Sequence, residues 1–163
     1  FTAIAPDLVI SIRYGVILKA PVLTVPRLGV LNLHSGPLPA YRGVMASFWG
    51  LLNGETRLGT TLHTIDDASI DTGRIVATSE LPVNRDQSYL WHVLSLYEAG
   101  CSNIVAAVAR LSAGEPLAAK PQAAGGNYYS FPDADALRRF QTSGWRLVDN
   151  DDLVTMARRF IHY

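Results

Sequence analysis

Asn32 and His34 stand two residues apart in the run Val30-Leu31-Asn32-Leu33-His34. On a strand that spacing sends both polar side chains to one face and Leu31 and Leu33 to the other. An amide donor beside a titratable imidazole can polarise a carbonyl and move a proton. If the run is a parallel strand, the pair emerges at its carboxyl end, where open α/β sheets bind ligands. The loop that follows, Ser35 to Gly43, holds two prolines and two glycines, so it is stiff and admits close approach of a ligand to backbone. Further along, Asp66-Asp67-Ala68-Ser69-Ile70-Asp71-Thr72-Gly73 offers three carboxylates. Their spacing fits no cation loop, which leaves a solvated turn or a carboxylate held near His34. The residues alone leave a second account open: an Asn and a His can also satisfy one another in a core.

The elements around these residues must place them. Leu8 to Ile12 is a β-branched run after the turn Ala5-Pro6-Asp7, apolar on both faces, as expected of an interior strand of a helix-covered parallel sheet. Tyr14-Gly15 breaks it. The spacing predicts a short helix over Leu18 to Leu23 with Pro21 in its first turn, then the strand that carries Asn32 and His34. Strand, helix, strand at this spacing is a parallel crossover, and the fold class is α/β. Val44 to Leu52 reads as a helix with Met45, Phe48, Trp49 and Leu52 facing the core, stopped by Asn53-Gly54. Gly59 to Ile65 and Arg74 to Ala77 read as strands on either side of the acidic loop. From Ser88 to Ser112, Leu90, Leu94, Tyr97, Cys101, Ile104, Val108 and Leu111 recur at helical spacing and are expected to face the sheet. His92, on the same helix, reads as a core or surface residue. Residues 123–127 read as a linker, Asp133 as the N-cap of a short helix with Leu137 and Phe140 inside, and Asp151 to Ile161 as a last helix.

Composition bounds the function. The 163 residues suit one domain, 48% of them apolar, with 14 acids balancing 14 bases. Such a balance gives no basic field to track phosphates, so a nucleic-acid partner is not expected. One cysteine, Cys101, points to a reducing compartment, and no apolar stretch approaches a membrane span. A soluble cytoplasmic protein without a membrane partner is expected, and the sequence is compatible with an oligomer.

Five blocks in order give the sequence a specific likeness. Leu31-Asn32-Leu33-His34, Leu38-Pro39-x-Tyr41-Arg42-Gly43, Asn53-Gly54-Glu55, Gly59-Thr60-Thr61-Leu62-His63 and Ile70-Asp71-Thr72-Gly73 resemble the folate-dependent formyltransferases, which act on glycinamide ribonucleotide, methionyl-tRNA or amino sugars. The resemblance implies a Rossmann-like sheet flanked by helices, with the family's amino-terminal strands lying before the point that matches Phe1. It implies the carboxyl-terminal portion of a catalytic core over residues 1–122 and a linker with a short helical extension over 123–163. Carried over by position, Asn32, His34 and Asp71 match the catalytic triad. Val16, Ile17 and Leu18 match the segment that lines the folate pocket, and Asp67 and Ser69 its opposite wall. Ser35 and the loop Tyr41-Arg42-Gly43, with Tyr128-Tyr129, would contact the acceptor. The family commonly has Ser in the place of Gly36, and here Ser35 stands one earlier.

What the likeness implies is formyl transfer from 10-formyltetrahydrofolate to the amine of a small molecule or sugar nucleotide, without a metal. Asn32 and a protonated His34 would hold the tetrahedral oxyanion, a contribution of about 3–4 kcal/mol per donor. Asp71 would favour the imidazolium and shuttle a proton. Two alternatives accompany it: a formyltetrahydrofolate hydrolase with the same triad, or a folate-binding fragment without turnover.

Overall fold

The computed structural model describes residues 3–161; Phe1, Thr2, His162 and Tyr163 lie outside that range. A four-stranded sheet is built from β1 (Val9–Ile12), β2 (Val30–His34), β4 (Arg57–Thr64) and β5 (Ile75–Pro82), in the order β1-β2-β4-β5. β1 and β2 run parallel through α1 (Ala20–Leu23), which has Pro21 in its first turn. That is the expected crossover, although the helix begins two residues later than predicted. β4 is antiparallel to both β2 and β5, so the sheet is mixed. β5 also outruns its expected end at Ala77, because it pairs with the whole length of β4.

β1 departs from the interior strand that its apolar run suggests. Among the described residues it pairs with β2 alone, and Ile10 and Ile12 are exposed. Hydrophobicity on two faces reports what a strand can pack against; it does not report which neighbours these residues supply.

α3 (Tyr89–Ser112) crosses the sheet with the predicted period but a different phase. Its buried line is His92, Val93, Leu96, Gly100, Ile104 and Ala107. Cys101 is exposed, while Tyr97 and Val108 flank the contact. The cause is close packing at Gly100, where a Cβ would come within 2.9 Å of Leu33 Cδ2. Gly100 and Ala107 on the line of contact let helix and strand approach, and Tyr97, Cys101 and Val108 lie to its sides. A pattern search that scores only large apolar residues is therefore one position out.

A second small sheet forms where only a loop was expected. β3 (Tyr41–Gly43) pairs in parallel with β6 (Asn127–Tyr129). Tyr129 stacks between Tyr41 and Trp49, at 5.2 Å from each ring. α2 (Ala46–Leu52) starts after Met45, whose φ of 55° is left-handed and so outside the helix in which it was placed. α4 (Ala134–Thr142) is capped by Asp133, whose carboxylate accepts from the Ala136 N–H at 2.8 Å. It drives Phe140 against Phe48 at 4.4 Å, and Trp145 completes that cluster. α5 (Asn150–Phe160) lies on α3, where Asp152 accepts from the Ser88 N–H. The carboxyl-terminal segment is thus packed onto the sheet's helices. Among the described residues no helix is long and apolar enough to cross a membrane.

Candidate functional site

β2 delivers Asn32 and His34 to one face, as their spacing requires, with Leu31 and Leu33 buried against α3 on the other. Ser11 of β1 and His63 of β4 stand beside Asn32 in register. Asn32 Nδ2 lies 3.0 Å from His63 Nε2. His63 Nδ1–H donates to the carbonyl of Thr64 at 2.8 Å, so its Nε2 is the acceptor, and the amide of Asn32 donates to it. His34 has a different commitment. Its Nε2–H donates to the carbonyl of Tyr41 at 2.6 Å, leaving Nδ1 3.5 Å from Asp71 Oδ2.

Asp71 comes from the loop between β4 and β5, where its φ of 55° places a non-glycine residue in the left-handed region. Its carboxylate is shared. Oδ2 accepts from the Gly43 N–H at 2.8 Å and faces His34, while Oδ1 lies 3.5 Å from His63 Nε2. β3 therefore fixes two groups with backbone atoms of residues two apart: Tyr41 C=O orients His34, and Gly43 N–H orients Asp71. Gly36 belongs to the same packing, since a Cβ there would come within 2.9 Å of His34 Nε2. A side chain at 36 would meet Ala46 Cβ first, at 2.5 Å, so that both Ala46 and the His34 ring would have to shift to admit one.

Burial sets the charges. His34 is held below its ordinary pKa by loss of solvent, which outweighs the opposing pull of Asp71 and the Tyr41 carbonyl. Burial thus works against the imidazolium that the resemblance implies, while Asp71 favours it. For Asp71, burial alone would raise the pKa, but His63, His34 and the Gly43 N–H together bring it below the usual carboxylate value. Asp71 is therefore an anion at neutral pH.

Asn32, His34, His63 and Asp71 open into a cavity of about 410 Å³. Val16, Ile17 and Leu18 line it from the irregular segment between β1 and α1, and Asp67 and Ser69 line it from the acidic loop. The carboxylate of Asp67 accepts from both the N–H and the hydroxyl of Ser69, which closes that turn. Ser35 and Gly43 also border the cavity. The side chains of Tyr41 and Arg42 do not. Tyr41 is buried with its hydroxyl donating to Glu55 at 2.7 Å, and burial first of all, then Glu55, pushes its pKa up to about 12. Arg42 points to Gln122 Oε1 at 3.3 Å, and its Nε is buried with no partner among the described residues. Both side chains are engaged elsewhere, by Glu55 and Gln122, and what this strand gives the site is backbone.

Met45, read from the sequence as core, borders the cavity together with Tyr89, Tyr128 and Phe131. His63 is the residue that sequence reasoning quoted without a role. The signal was available: β4 alternates, and His63 falls opposite Asn32 once the strands are paired. Among the described residues no group of three or more His, Cys, Asp or Glu side chains is disposed to hold a metal.

A family model described as formyl transferase matches residues 1–95. The chain belongs to the formyl transferase family. The methionyl-tRNA formyltransferase of Synechococcus sp. (strain JA-3-3Ab) is 37% identical over 113 residues, covering 69% of this chain and 35% of that protein. That of Paramagnetospirillum magneticum is 36% identical over 130 residues, covering 80% of this chain and 42% of the relative. The matches thus span 35% and 42% of the length of these two curated formyltransferases. Among solved structures, the formyltransferase PseJ from Anoxybacillus kamchatkensis, in complex with a UDP-linked formamido sugar and tetrahydrofolate, superposes with a TM-score of 0.72. It is 24% identical, and the match covers 90% of this chain and 76% of that one. WlaRD, a sugar 3N-formyl transferase, gives 0.66 at 27% identity over 75% of this chain and 43% of that one. The α/β fold is the Rossmann-like one of the formyltransferases.

Proposed function

We propose that the protein transfers a formyl group from 10-formyltetrahydrofolate to the amine of a small-molecule or sugar-nucleotide acceptor, with Asn32, His34 and Asp71 as the reacting set. The observation that carries this reading is the unequal use of the two His34 nitrogens. Nε2–H is spent on the Tyr41 carbonyl, while Nδ1 is free beside a buried carboxylate at the edge of the cavity. Family membership supports formyl chemistry in general. Tetrahydrofolate in the PseJ structure supports the carrier, and dTDP in that of WlaRD supports a sugar-nucleotide acceptor.

On this reading the folate lies between Val16–Leu18 and the turn of Asp67 and Ser69, in a cavity within the usual size of a small-molecule site. The amine enters from the side of Tyr128 and Phe131, both exposed large aromatics and so a ready stacking wall for a ring. As the amine nitrogen bonds to the formyl carbon, the carbonyl oxygen becomes an oxyanion. Asn32 Nδ2 has one hydrogen on His63 and a second to give that oxygen. The new ammonium passes its proton to the neutral Nδ1 of His34, directly or through a water. The resulting imidazolium is paired with Asp71, and it returns the proton to the folate nitrogen as the carbon–nitrogen bond breaks. Every proton is thereby accounted for, and His34 ends as it began.

A second reading of the acceptor has its own observation: relatives of 36–38% identity are methionyl-tRNA formyltransferases. One experiment separates the possibilities. The full-length protein is incubated with 10-formyltetrahydrofolate and, in parallel, an amino-sugar nucleotide, methionyl-tRNA or no acceptor, and tetrahydrofolate release is followed. Release that depends on the amino sugar is expected. Release that depends on methionyl-tRNA transfers the assignment to that acceptor, and release without any amine makes the protein a hydrolase. Absence of release in every arm, with folate bound, would sink the catalytic reading.

A further inference from the structure

Gln122 lies in residues 113–126, a stretch without helix or strand that returns from the end of α3 to β6. Two residues earlier, Lys120 forms a two-bond bridge with Ile75, at 2.8 Å each way, which pins this stretch to the start of β5. Four residues later, Gly126 passes so close to Pro39 that a Cβ would collide with its carbonyl. The chain is thus fixed on both sides of Gln122, and its half-buried side chain reaches under the acidic loop. Nε2 donates to the carbonyl of Asp71 at 2.8 Å and to that of Gly73 at 2.7 Å. Oε1 accepts from Arg42 at 3.3 Å. Both amide hydrogens and the carbonyl oxygen are engaged, two of the bonds on the loop that carries Asp71 and the third on β3.

The placement matters because Asp71 holds a left-handed φ that only surrounding contacts can maintain. Gly73 is seated against the Thr64 carbonyl, and the Gly43 N–H holds the Asp71 carboxylate. Gln122 supplies the remaining fixed points, on the backbone oxygens of residues 71 and 73. It also ties that loop to the strand whose carbonyl at Tyr41 orients His34. We infer that Gln122 is a positioning residue for the reaction: its amide clamps the Asp71 backbone so that the carboxylate stays aligned with Nδ1 of His34. The inference rests on the triad assignment above; its test does not rest on turnover alone.

Gln122→Met keeps the length of the side chain and removes all three bonds. In the full chain, kcat for formyl transfer is expected to fall about 10- to 100-fold, the usual cost of loosening a reacting group by up to an ångström. KM for 10-formyltetrahydrofolate is expected to stay within about twofold. Independently of activity, the midpoint of the His34 imidazole titration is followed by NMR. The groups facing His34 are Asp71 from the loop, His63 from β4 and the Tyr41 carbonyl from β3; of these, the Asp71 charge raises the midpoint most. Gln122→Met is expected to move it down, in the same direction as Asp71→Asn and by less. Gln122→Asn, one methylene short but still polar, is expected to do the same and serves if the methionine variant does not fold. A lowered Tm with an unchanged His34 midpoint would overturn the inference, leaving Gln122 a structural residue. If the wild-type protein transfers formyl to no amine, the functional reading falls, and the His34 titration still decides the role of Gln122.

Discussion

Three buried histidines in this molecule stand next to carboxylates, and two of them, His92 and His34, differ most in what their nitrogens are asked to do. His92 is fully enclosed. Its Nδ1–H donates to the Ser88 carbonyl at 2.8 Å, and its Nε2 accepts from the Asn84 N–H at 3.0 Å. The nearby Asp152 is already spent on the Ser88 N–H. His34 is almost as buried, yet it has one nitrogen committed and one left facing Asp71 and a cavity. Burial holds both below the ordinary pKa. Low accessibility and a depressed pKa are therefore common to both; what sets His34 apart is its uncommitted nitrogen.

Substitution tests that difference most directly. His34→Ala is expected to lower formyl transfer by about 10²–10⁴-fold, the range for losing a positioned acid–base group, with folate binding retained. His92→Ala is expected to do the reverse. It leaves the Asn84 N–H without its partner and the Ser88 carbonyl with only the backbone N–H of residue 92, costing about 1–3 kcal/mol of stability in a urea melt. Turnover per folded molecule should stay within about twofold. Equal losses of turnover in the two variants would erase the distinction.

Asp71→Asn sharpens the comparison through pH. Acid should stop the reaction as His34 takes up a proton, so the rate falls on the acid side through the His34 pKa, which lies below its ordinary 6.5. Removing the Asp71 charge takes away the largest influence raising that pKa. The acid limb of kcat is therefore expected to move to lower pH even as the plateau rate drops. A rate that instead falls on the alkaline side through the His34 pKa, with that limb moving down in Asp71→Asn, would mean that His34 works in its protonated form.

Much of this arrangement is legible in the amino-acid order because it follows local rules. Two-residue spacing put Asn32 and His34 on one face, the crossover around α1 made β1 and β2 parallel, and Asp133 capped α4. What was not legible depends on contacts between distant segments. The phase of α3 turns on Gly100 against Leu33, the tilt of Tyr41 and Arg42 away from the cavity on pairing with residues 127–129, and the neutral His34 on burial that no spacing reveals. His63 needed the β2–β4 register before its place beside Asn32 and Asp71 had meaning.

The smallest expected effect concerns stability against pH, and here the two histidines should act alike. Each has a folded-state pKa below the unfolded value near 6.5, so at pH below about 6.5 the unfolded chain binds more protons than the folded one. Unfolding free energy then rises with pH through that window and levels off above it. Asp71, depressed in the folded state, adds stability that is present above the ordinary carboxylate value and is lost only as the pH falls through its lower folded pKa. Between pH 7.5 and 5.5 the wild-type Tm should therefore decline because of His34 and His92, while Asp71 contributes nothing to the slope. His92→Gln should flatten that slope by the share of one histidine, and His34→Gln by the share of the other. A slope unchanged by both substitutions would mean that neither imidazole is kept neutral by the fold, and the reading of His34 as a resting proton acceptor would go with it.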